Sequence, residues 1–550
     1  MLPPLVTREP ARPVILAIVA LFWALVFLPG LGTTEIQGEE GRRLLPGITM
    51  VESGDWIVPK IGGKVYQRKP PLINWMAAIS FSATGVINEW TARLPSALVV
   101  LGLGLAVAGM TFRPLGSWGA LFAAVFTLGN ISMIEKGRLA EIEAIFMVCT
   151  GMAILWWCVG WLRNASPWFI WLPVGVFLGL GWLAKGPLLM LFFYASVIPT
   201  LWLASRRNIG RPVWRELLGL PHLAALVVVL AIFGAWAIAN LRATAGADTA
   251  AVWLQQFTAR VSGEESGGDS FDWLKWAHNF PRGIINFLPW ALLLPLLWRR
   301  GITESMPDRS RVLFLGLRFG MVLAFVALLL PPGSSSRFIM PMLIMPALLL
   351  AMVFAHGHDR LPTWLPTAWR RILLGLCGLL LPAALACAPV GYFSIMSIIA
   401  GLVATAAVAT VFMLRSHLNH SRPLMLASMT LTAAVILIYA AGVLPRLAPL
   451  DDVRPVAREL QQILPADETL FAVDPHFQPA LFYLRTPLVQ VAHRDDVPAG
   501  ARLLLVREDR VERSIPKDRT ISGSPLMRVA EKGRRPLLLI ELAPAETADR

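Results

Sequence analysis

The residues best suited to chemistry gather near the N-terminus. The stretch TTEIQGEEGRRLLPG, residues 33–47, places Glu35, Glu39, Glu40, Arg42 and Arg43 directly after an apolar run. A carboxylate can take a proton from an acceptor hydroxyl, and an arginine can grip an anion with its planar fork. Side by side at a membrane edge, they suit a reaction in which an acceptor is activated while an anion departs. The plainer reading is a solvated helix end that anchors a span. Other charged residues recur at the ends of apolar runs: Lys69 in QRKPP, Arg138, Glu141 and Glu143 in EKGRLAEIE, Lys185 in LAKGP, Arg260, and Arg337 in PPGSSSR.

The elements that must position these residues follow from composition. The chain has 550 residues, 56% of them hydrophobic and 15% charged, and its mean hydropathy is +0.61. That is too apolar for a soluble globular protein and fits a polytopic membrane protein. Twenty-one Trp against five Tyr, many near run ends, suit interfacial anchors. The net charge of +14 does not indicate nucleic acid, because the cations fall mostly in short loops where membrane orientation explains them. Cys149, Cys158, Cys377 and Cys387 lie inside apolar runs without CxxC spacing, which points to buried thiols. The eight His show neither HxxxH nor HExxH, so no metal is expected.

The first run, about 13–31, follows Arg8 and Arg12 and is expected to be an uncleaved span with a cytoplasmic N-terminus. Spans are then expected at 94–113, 118–134, 143–162, 167–184, 187–205, 221–241, 283–298, 312–331, 338–355, 372–391, 394–414 and 423–443. With 72–88 lying along the outer surface as an interfacial helix, the Arg clusters at 206–215, 299–311, 370–371 and 415–422 all fall inside. This gives about 13 transmembrane helices. Lys69, Arg138, Lys185, Arg260 and Arg337 are left outside against the orientation rule, and could converge on a phosphate. Snorkelling at span ends is the competing explanation.

Beyond about 447 the character changes. ETLFAVD, LVQVAH, ARLLLVRED and RRPLLLIEL predict strands, and PHFQPALFYLR predicts a helix. The expected architecture is a transmembrane domain over 1–446, with its first periplasmic loop at 32–93, and a small periplasmic α/β domain over 447–550. Neither GxGxxG nor a P-loop occurs in the tail.

Outside a cytoplasmic membrane no nucleotide donor is expected, so a group transfer there needs a donor carrying its own leaving group. A lipid-phosphate-linked sugar does. The segment EEGRRLLPGITMVESGDWIVPKIGGKVYQRKPPLINW resembles the first outer loop of the aminoarabinose transferases and related polyprenyl-phosphate-dependent glycosyltransferases of the GT-C type. The family's pattern of an acidic pair, x-Arg, Ser/Ala-Gly-Asp-Trp and Tyr-Phe-Glu-Lys-Pro-Pro fits in spacing without gaps, on Glu39, Glu40, Arg42, Gly54, Asp55, Trp56, Tyr66, Lys69 and Pro70. GRLAEIEAIF, LAKGP, FDWLKW…FLPW and SSSRFIMPMLIMP extend the resemblance over roughly 15–350.

The resemblance implies inverting transfer from an undecaprenyl- or similar polyprenyl-phosphate sugar to a periplasm-facing acceptor such as lipid A or lipopolysaccharide core. The expected location is the inner membrane, and the expected state a monomer. Glu39 and Glu143 fall on the family's catalytic acids, and Lys69, Lys185 and Arg260 on its phosphate-holding cations. Arg42, Arg138 and Arg337 join the substrate-binding set, with Glu40, Asp55 and Tyr66 as secondary candidates. Glu39 and Glu143 replace the usual Asp, Arg68 a Glu, Phe257 a His and Phe338 a Tyr. Two of these, at 68 and 257, belong to a metal site in the aminoarabinose subgroup, so no metal or other cofactor is expected, and a different sugar becomes plausible. Protein or another envelope glycan is the alternative acceptor. A lipid-linked-anion transporter is the alternative class, but mid-span charges and internal repeats are scarce. Asp55 is better suited to capping a turn or helix than to acid catalysis, and Glu40 is also placed to pair with Arg43.

Overall fold

A chain in hydrocarbon must satisfy its backbone hydrogen bonds within itself, so long apolar runs fold as helices. The computed structural model describes residues 9–66, 68–244, 272–387, 401–409, 420–465, 468–473, 475, 479–491, 493–530 and 536–544. Among them, eight helices are long and apolar enough to cross a membrane: Glu89–Leu128, Ile142–Leu162, Pro167–Lys185, Leu189–Arg206, Leu220–Ala243, Asp308–Leu329, Ser336–His356 and Ser421–Leu447. A bent pair, Trp273–Ile285 and Trp290–Trp298, makes a ninth if taken as one span. The protein is a multi-span, mostly helical membrane protein. The expected count of thirteen is not reached among the described residues. The runs at 372–391 and 394–414 fall partly outside them.

Three expected spans differ in form. Runs 94–113 and 118–134 appear as one helical stretch, Glu89–Leu128, broken at Gly116 with φ 71° and ψ 176°. A side chain rarely tolerates that conformation, so glycine lets the chain change direction between two helices. The run at 283–298 is bent by 90°. Pro289 and Pro295 fall within it, each removing a backbone donor that a continuous helix would need.

Contacts divide the chain into two units: Met1–Pro29 with Ser96–Val443, and Gly30–Pro95 with Leu444–Arg550. The first is helical. Its helices Ile142–Leu162 and Ser336–His356 are the most enclosed. They are apolar all round, as helices surrounded by other helices must be. Phe122, Phe126, Trp290, Phe354 and Trp369 stack into an aromatic core with ring separations of 4.8–6.5 Å.

The second unit joins the first loop to the tail. Helix Glu40–Ser53 ends at Gly54, whose φ of 72° gives the left-handed cap. Helix Leu72–Thr84 has 13 residues. At about 1.5 Å per residue it is too short to cross about 30 Å of hydrocarbon. A two-stranded hairpin pairs β1 (Lys60–Ile61) with β2 (Lys64–Val65). The tail carries a five-stranded sheet of β3 (Leu470–Val473), β4 (Leu488–Val491), β5 (Leu503–Arg507), β6 (Met527–Val529) and β7 (Leu537–Glu541), ordered β4-β3-β5-β7-β6. β3 runs parallel to β4 and β5, and β7 runs antiparallel to β5 and β6.

Four of these strands stand where the sequence predicts them. β6 is an addition, too short for its alternation to show in sequence. The helix expected over PHFQPALFYLR is a 3₁₀ turn at Pro479–Phe482 among the described residues. All four of its residues are buried. Burial of the whole turn, rather than of one stripe, removes the 3.6-residue pattern a helix would show. Leu45, Ile61 and Tyr66 of the loop share a core with Leu460, Leu470, Leu481 and Leu539 of the tail.

Candidate active site

In the loop-and-tail unit the acidic pair divides its labour. Glu39 is the residue before helix Glu40–Ser53, with a side chain 38% exposed. Its Oε2 lies 3.0 Å from Arg42 and 3.4 Å from Arg43. It is therefore an accessible carboxylate held between two cations at a helix N-terminus, where a negative charge is favoured. Glu40 is fully buried and forms a two-pronged pair with Arg93, Nε to Oε1 at 2.8 Å and NH2 to Oε2 at 2.7 Å. Glu40 Oε2 also accepts from Gln37 N at 2.9 Å.

The expected Glu40–Arg43 pair does not form. Arg43 instead donates to the Tyr66 hydroxyl at 2.7 Å and reaches Glu39. The reason is direction. One turn of helix carries Glu40 inward and leaves Glu39 toward solvent. Arg93 was not anticipated as part of this cluster. Its only sequence signal is an arginine at the head of an apolar run. It also donates to the carbonyls of Leu31, Thr34 and Glu35, so one guanidinium pins the whole turn before the helix.

Burial lowers Arg42 below the usual guanidinium range, against the pull of Glu39. Burial likewise raises the phenol of Tyr66, against the neighbouring Arg43 and Arg42, so Tyr66 stays neutral and serves as a hydrogen-bonding anchor. Lys69 is half-buried in the turn before Leu72–Thr84.

Asp55 builds a turn. Its Oδ1 accepts from Ile57 N at 3.1 Å and Val58 N at 3.2 Å, and its Oδ2 accepts from Lys60 Nζ at 2.8 Å. The Lys60 bond, helped by the two backbone donors, holds this carboxyl below the usual aspartate range. A depressed folded value means the stabilisation is present above the unfolded carboxylate range and is lost as pH falls through the folded value. Asp55→Asn is therefore expected to flatten the acid-side loss of protection in residues 54–60, at a cost of about 1 kcal/mol near neutrality. Amide hydrogen exchange at pH 6 and pH 3.5 checks it: an unchanged slope would remove Asp55 as the titrating group.

Three further residues join the tail to the loop. The Tyr483 hydroxyl donates to Glu89 at 2.9 Å and accepts from Ile36 N at 2.8 Å, and Arg454 reaches Glu89 at 3.2 Å. These were also unforeseen. Their partners are some 400 positions away in sequence.

In the helical unit, Glu143 stands in the first turn of Ile142–Leu162 and Lys185 in the last turn of Pro167–Lys185. Each charge complements its helix dipole. The two meet at 3.0 Å, with side chains only 14% and 8% exposed. Lys185 Nζ also lies 5.5 Å from the Phe146 ring and 5.9 Å from the Phe338 ring, and Arg337 stacks 6.0 Å from Phe338. Gly186 follows with φ 94°, a conformation that ends the helix sharply and favours glycine.

Arg138 donates to the backbone carbonyls of Val26 and Pro29, which ties down the end of the first helix. Lys136 sits between Glu135 at 2.9 Å and Glu141 at 3.0 Å. Its burial works against the charge, but the two carboxylates hold its ammonium above the ordinary range. Glu141 thus pairs with Lys136, and Glu143 with Lys185. Arg260 and Phe257 lie outside the described residues.

Comparison with known proteins adds a second line. Residues 68–238 match the dolichyl-phosphate-mannose-protein mannosyltransferase family. The chain is 30% identical over 317 residues to the undecaprenyl phosphate-alpha-4-amino-4-deoxy-L-arabinose arabinosyl transferase of Pseudomonas aeruginosa, covering 56% of this chain and 53% of that protein. It is 26% identical over 385 residues to a transferase of the same description from Pseudomonas fluorescens, covering 68% and 65%. The chain thus spans about half the length of the first of these curated relatives. Its fold is similar to that of ArnT from Cupriavidus metallidurans, solved bound to undecaprenyl phosphate, with a TM-score of 0.69 and 19% identity over 96% of this chain and 97% of that one. At that identity the likeness is one of fold. Sequence and fold together resemble the polyprenyl-phosphate-dependent GT-C glycosyltransferases.

Proposed function

We propose that this protein is a membrane glycosyltransferase that moves a sugar from an undecaprenyl- or similar polyprenyl-phosphate donor to a periplasm-facing acceptor, lipid A or lipopolysaccharide core first among them. The observation that carries the reading is the enclosed Lys185–Glu143 pair at two helix ends. A cation kept largely out of water beside a carboxylate can turn toward a phosphate as that group takes on charge. In this reading the acceptor oxygen attacks the anomeric carbon and the bond from that carbon to the phosphate oxygen breaks. The departing lipid phosphate carries the electron pair, and the acceptor proton passes to a carboxylate.

Glu39 is the proposed base, being accessible and flanked by Arg42 and Arg43. Lys185, Lys69 and Arg260 are the proposed donor-phosphate cations, with Arg42 and Arg337 assisting. Glu143 is the alternative base.

Mass spectra of lipid A and core from the source organism test this with the intact gene, a deletion and Glu39→Gln. A sugar-sized mass lost in the deletion, and reduced at least about a hundredfold by Glu39→Gln, supports both the reaction and the base. Loss in the deletion alone moves the base to Glu143. Three identical spectra exclude lipid A and core as acceptors, and glycoproteins and other envelope glycans become the fractions to compare.

A further inference from the structure

A second feature of the helical unit has no part in that chemistry. Helices Leu189–Arg206 and Asp308–Leu329 approach closely where a side chain would be excluded. A Cβ on Gly316 would meet Thr200 Cα at 2.5 Å, and one on Gly320 would meet the Ala195 carbonyl oxygen at 1.8 Å. Glycines four residues apart are a common device for drawing two membrane helices together. Beside this contact, side chains of the two helices line a groove of about 1270 Å³ together with Val213 and Trp298. That is larger than the roughly 300–1,000 Å³ usual for a small-molecule site.

Its walls are almost wholly apolar. Leu191, Ile198, Trp202, Phe319 and Leu323 line it and are exposed, and Arg318 is the charged residue of the lining. Arg318 lies ten residues into a helix that is otherwise apolar after its first turn. An ionisable side chain inside a span is expensive and calls for a partner. Arg318 NH1 donates to the Leu297 carbonyl at 2.8 Å, and its guanidinium lies 6.0 Å from Trp298 and 5.9 Å from Phe314. Among the described residues no carboxylate pairs with it.

The same end of the groove carries Trp202, with Arg206 stacked 4.9 Å from its ring, and Trp298, followed by exposed Arg299 and Arg300. Tryptophans and arginines in that arrangement mark a headgroup level. The opposite end starts at Met190, five residues after Lys185. The cationic end of the groove is therefore the end remote from Lys185.

We propose that this groove holds a glycerophospholipid with an anionic headgroup, its acyl chains along the apolar helix faces and its phosphate on Arg318. The inference does not depend on which reaction the protein catalyses. Charge decides the occupant: a zwitterionic lipid would bring its own cation to a site already rich in arginine, whereas an anionic one neutralises Arg318.

Native mass spectrometry of the purified protein, after incubation with an equimolar mixture of phosphatidylglycerol and phosphatidylethanolamine, tests it. Phosphatidylglycerol is expected to be retained preferentially. Arg318→Gln is expected to reduce that retention about tenfold, the usual worth of one charge-assisted contact, and Arg318→Lys to keep most of it. Leu323→Trp, at a position exposed on the groove wall, is expected to remove the adduct by filling the groove while leaving Arg318 intact. Equal retention of the two lipids would overturn the proposal. So would unchanged retention in Arg318→Gln and Leu323→Trp, or displacement of phosphatidylglycerol by undecaprenyl phosphate from this groove.

Discussion

Arg93→Leu is expected to destabilise the loop-and-tail unit by about 3–5 kcal/mol, because it strands the buried Glu40 carboxylate without its partner. Arg93 and Glu40 are 1% and 0% exposed, so water cannot repair the loss. The substitution also abandons the carbonyls of Leu31, Thr34 and Glu35, and buried acceptors left unsatisfied add to the cost. Glu40→Gln should cost less, since an amide oxygen can still accept from Arg93 while the charge imbalance remains. Replacing both residues with methionine should recover only part of the loss, because the three carbonyls stay unsatisfied.

Thermal unfolding and limited proteolysis of the purified protein, arranged as a double-mutant cycle, measure the coupling. Costs that simply add would show that the pair acts as two independent anchors. A large coupling energy would identify it as one device that holds the turn before helix Glu40–Ser53. Because Glu39 sits at the start of that helix, loosening the turn should also lower activity. The loss should be greater than stability alone explains, through displacement of the proposed base.

The second large effect concerns Lys185. On the proposed function, Lys185→Gln is expected to lower turnover about 10³-fold, the scale of losing one preorganised charge at a departing anion. The drop should appear in kcat more than in KM, because the interaction strengthens as the phosphate gains charge. Lys185→Arg should restore part of it: the charge is kept, but a planar fork cannot occupy a point-charge position between Phe146 and Phe338 in the same way.

Glu143→Gln separates the roles of the two acids. If Glu143 only holds Lys185, its removal should leave turnover within about tenfold. A loss approaching that of Lys185→Gln, with donor affinity retained, would make Glu143 the base in place of Glu39. An in vitro assay with a defined polyprenyl-phosphate sugar, reading kcat and KM for each variant, decides between these outcomes.

Much of this protein is written in local sequence. Apolar run length determines that the chain crosses a membrane many times, since about 20 helical residues match the hydrocarbon thickness. The alternation and turn residues of the tail determine four of the five strands. The EEGRR, AEIE and LAKGP stretches identify the charged positions, because charge at the end of an apolar run is conspicuous whatever the fold. Such signals lie within one or two helical turns and need no distant partner.

What sequence did not disclose was pairing. Glu39 and Glu40 are neighbours with the same chemistry. Tertiary packing alone decides that one faces solvent between Arg42 and Arg43 while the other is buried on Arg93, 53 residues away. Lys185 and Glu143 are 42 positions apart, and Tyr483 reaches Ile36 and Glu89 from about 400 residues away. The same holds for the core shared by the first loop and the tail, where Leu45 and Tyr66 pack with Leu460 and Leu481. The physical reason is common to all of them. Burial makes an unpaired charge or polar group costly, so the fold must find it a partner. Nothing in the local pattern records which distant residue that will be.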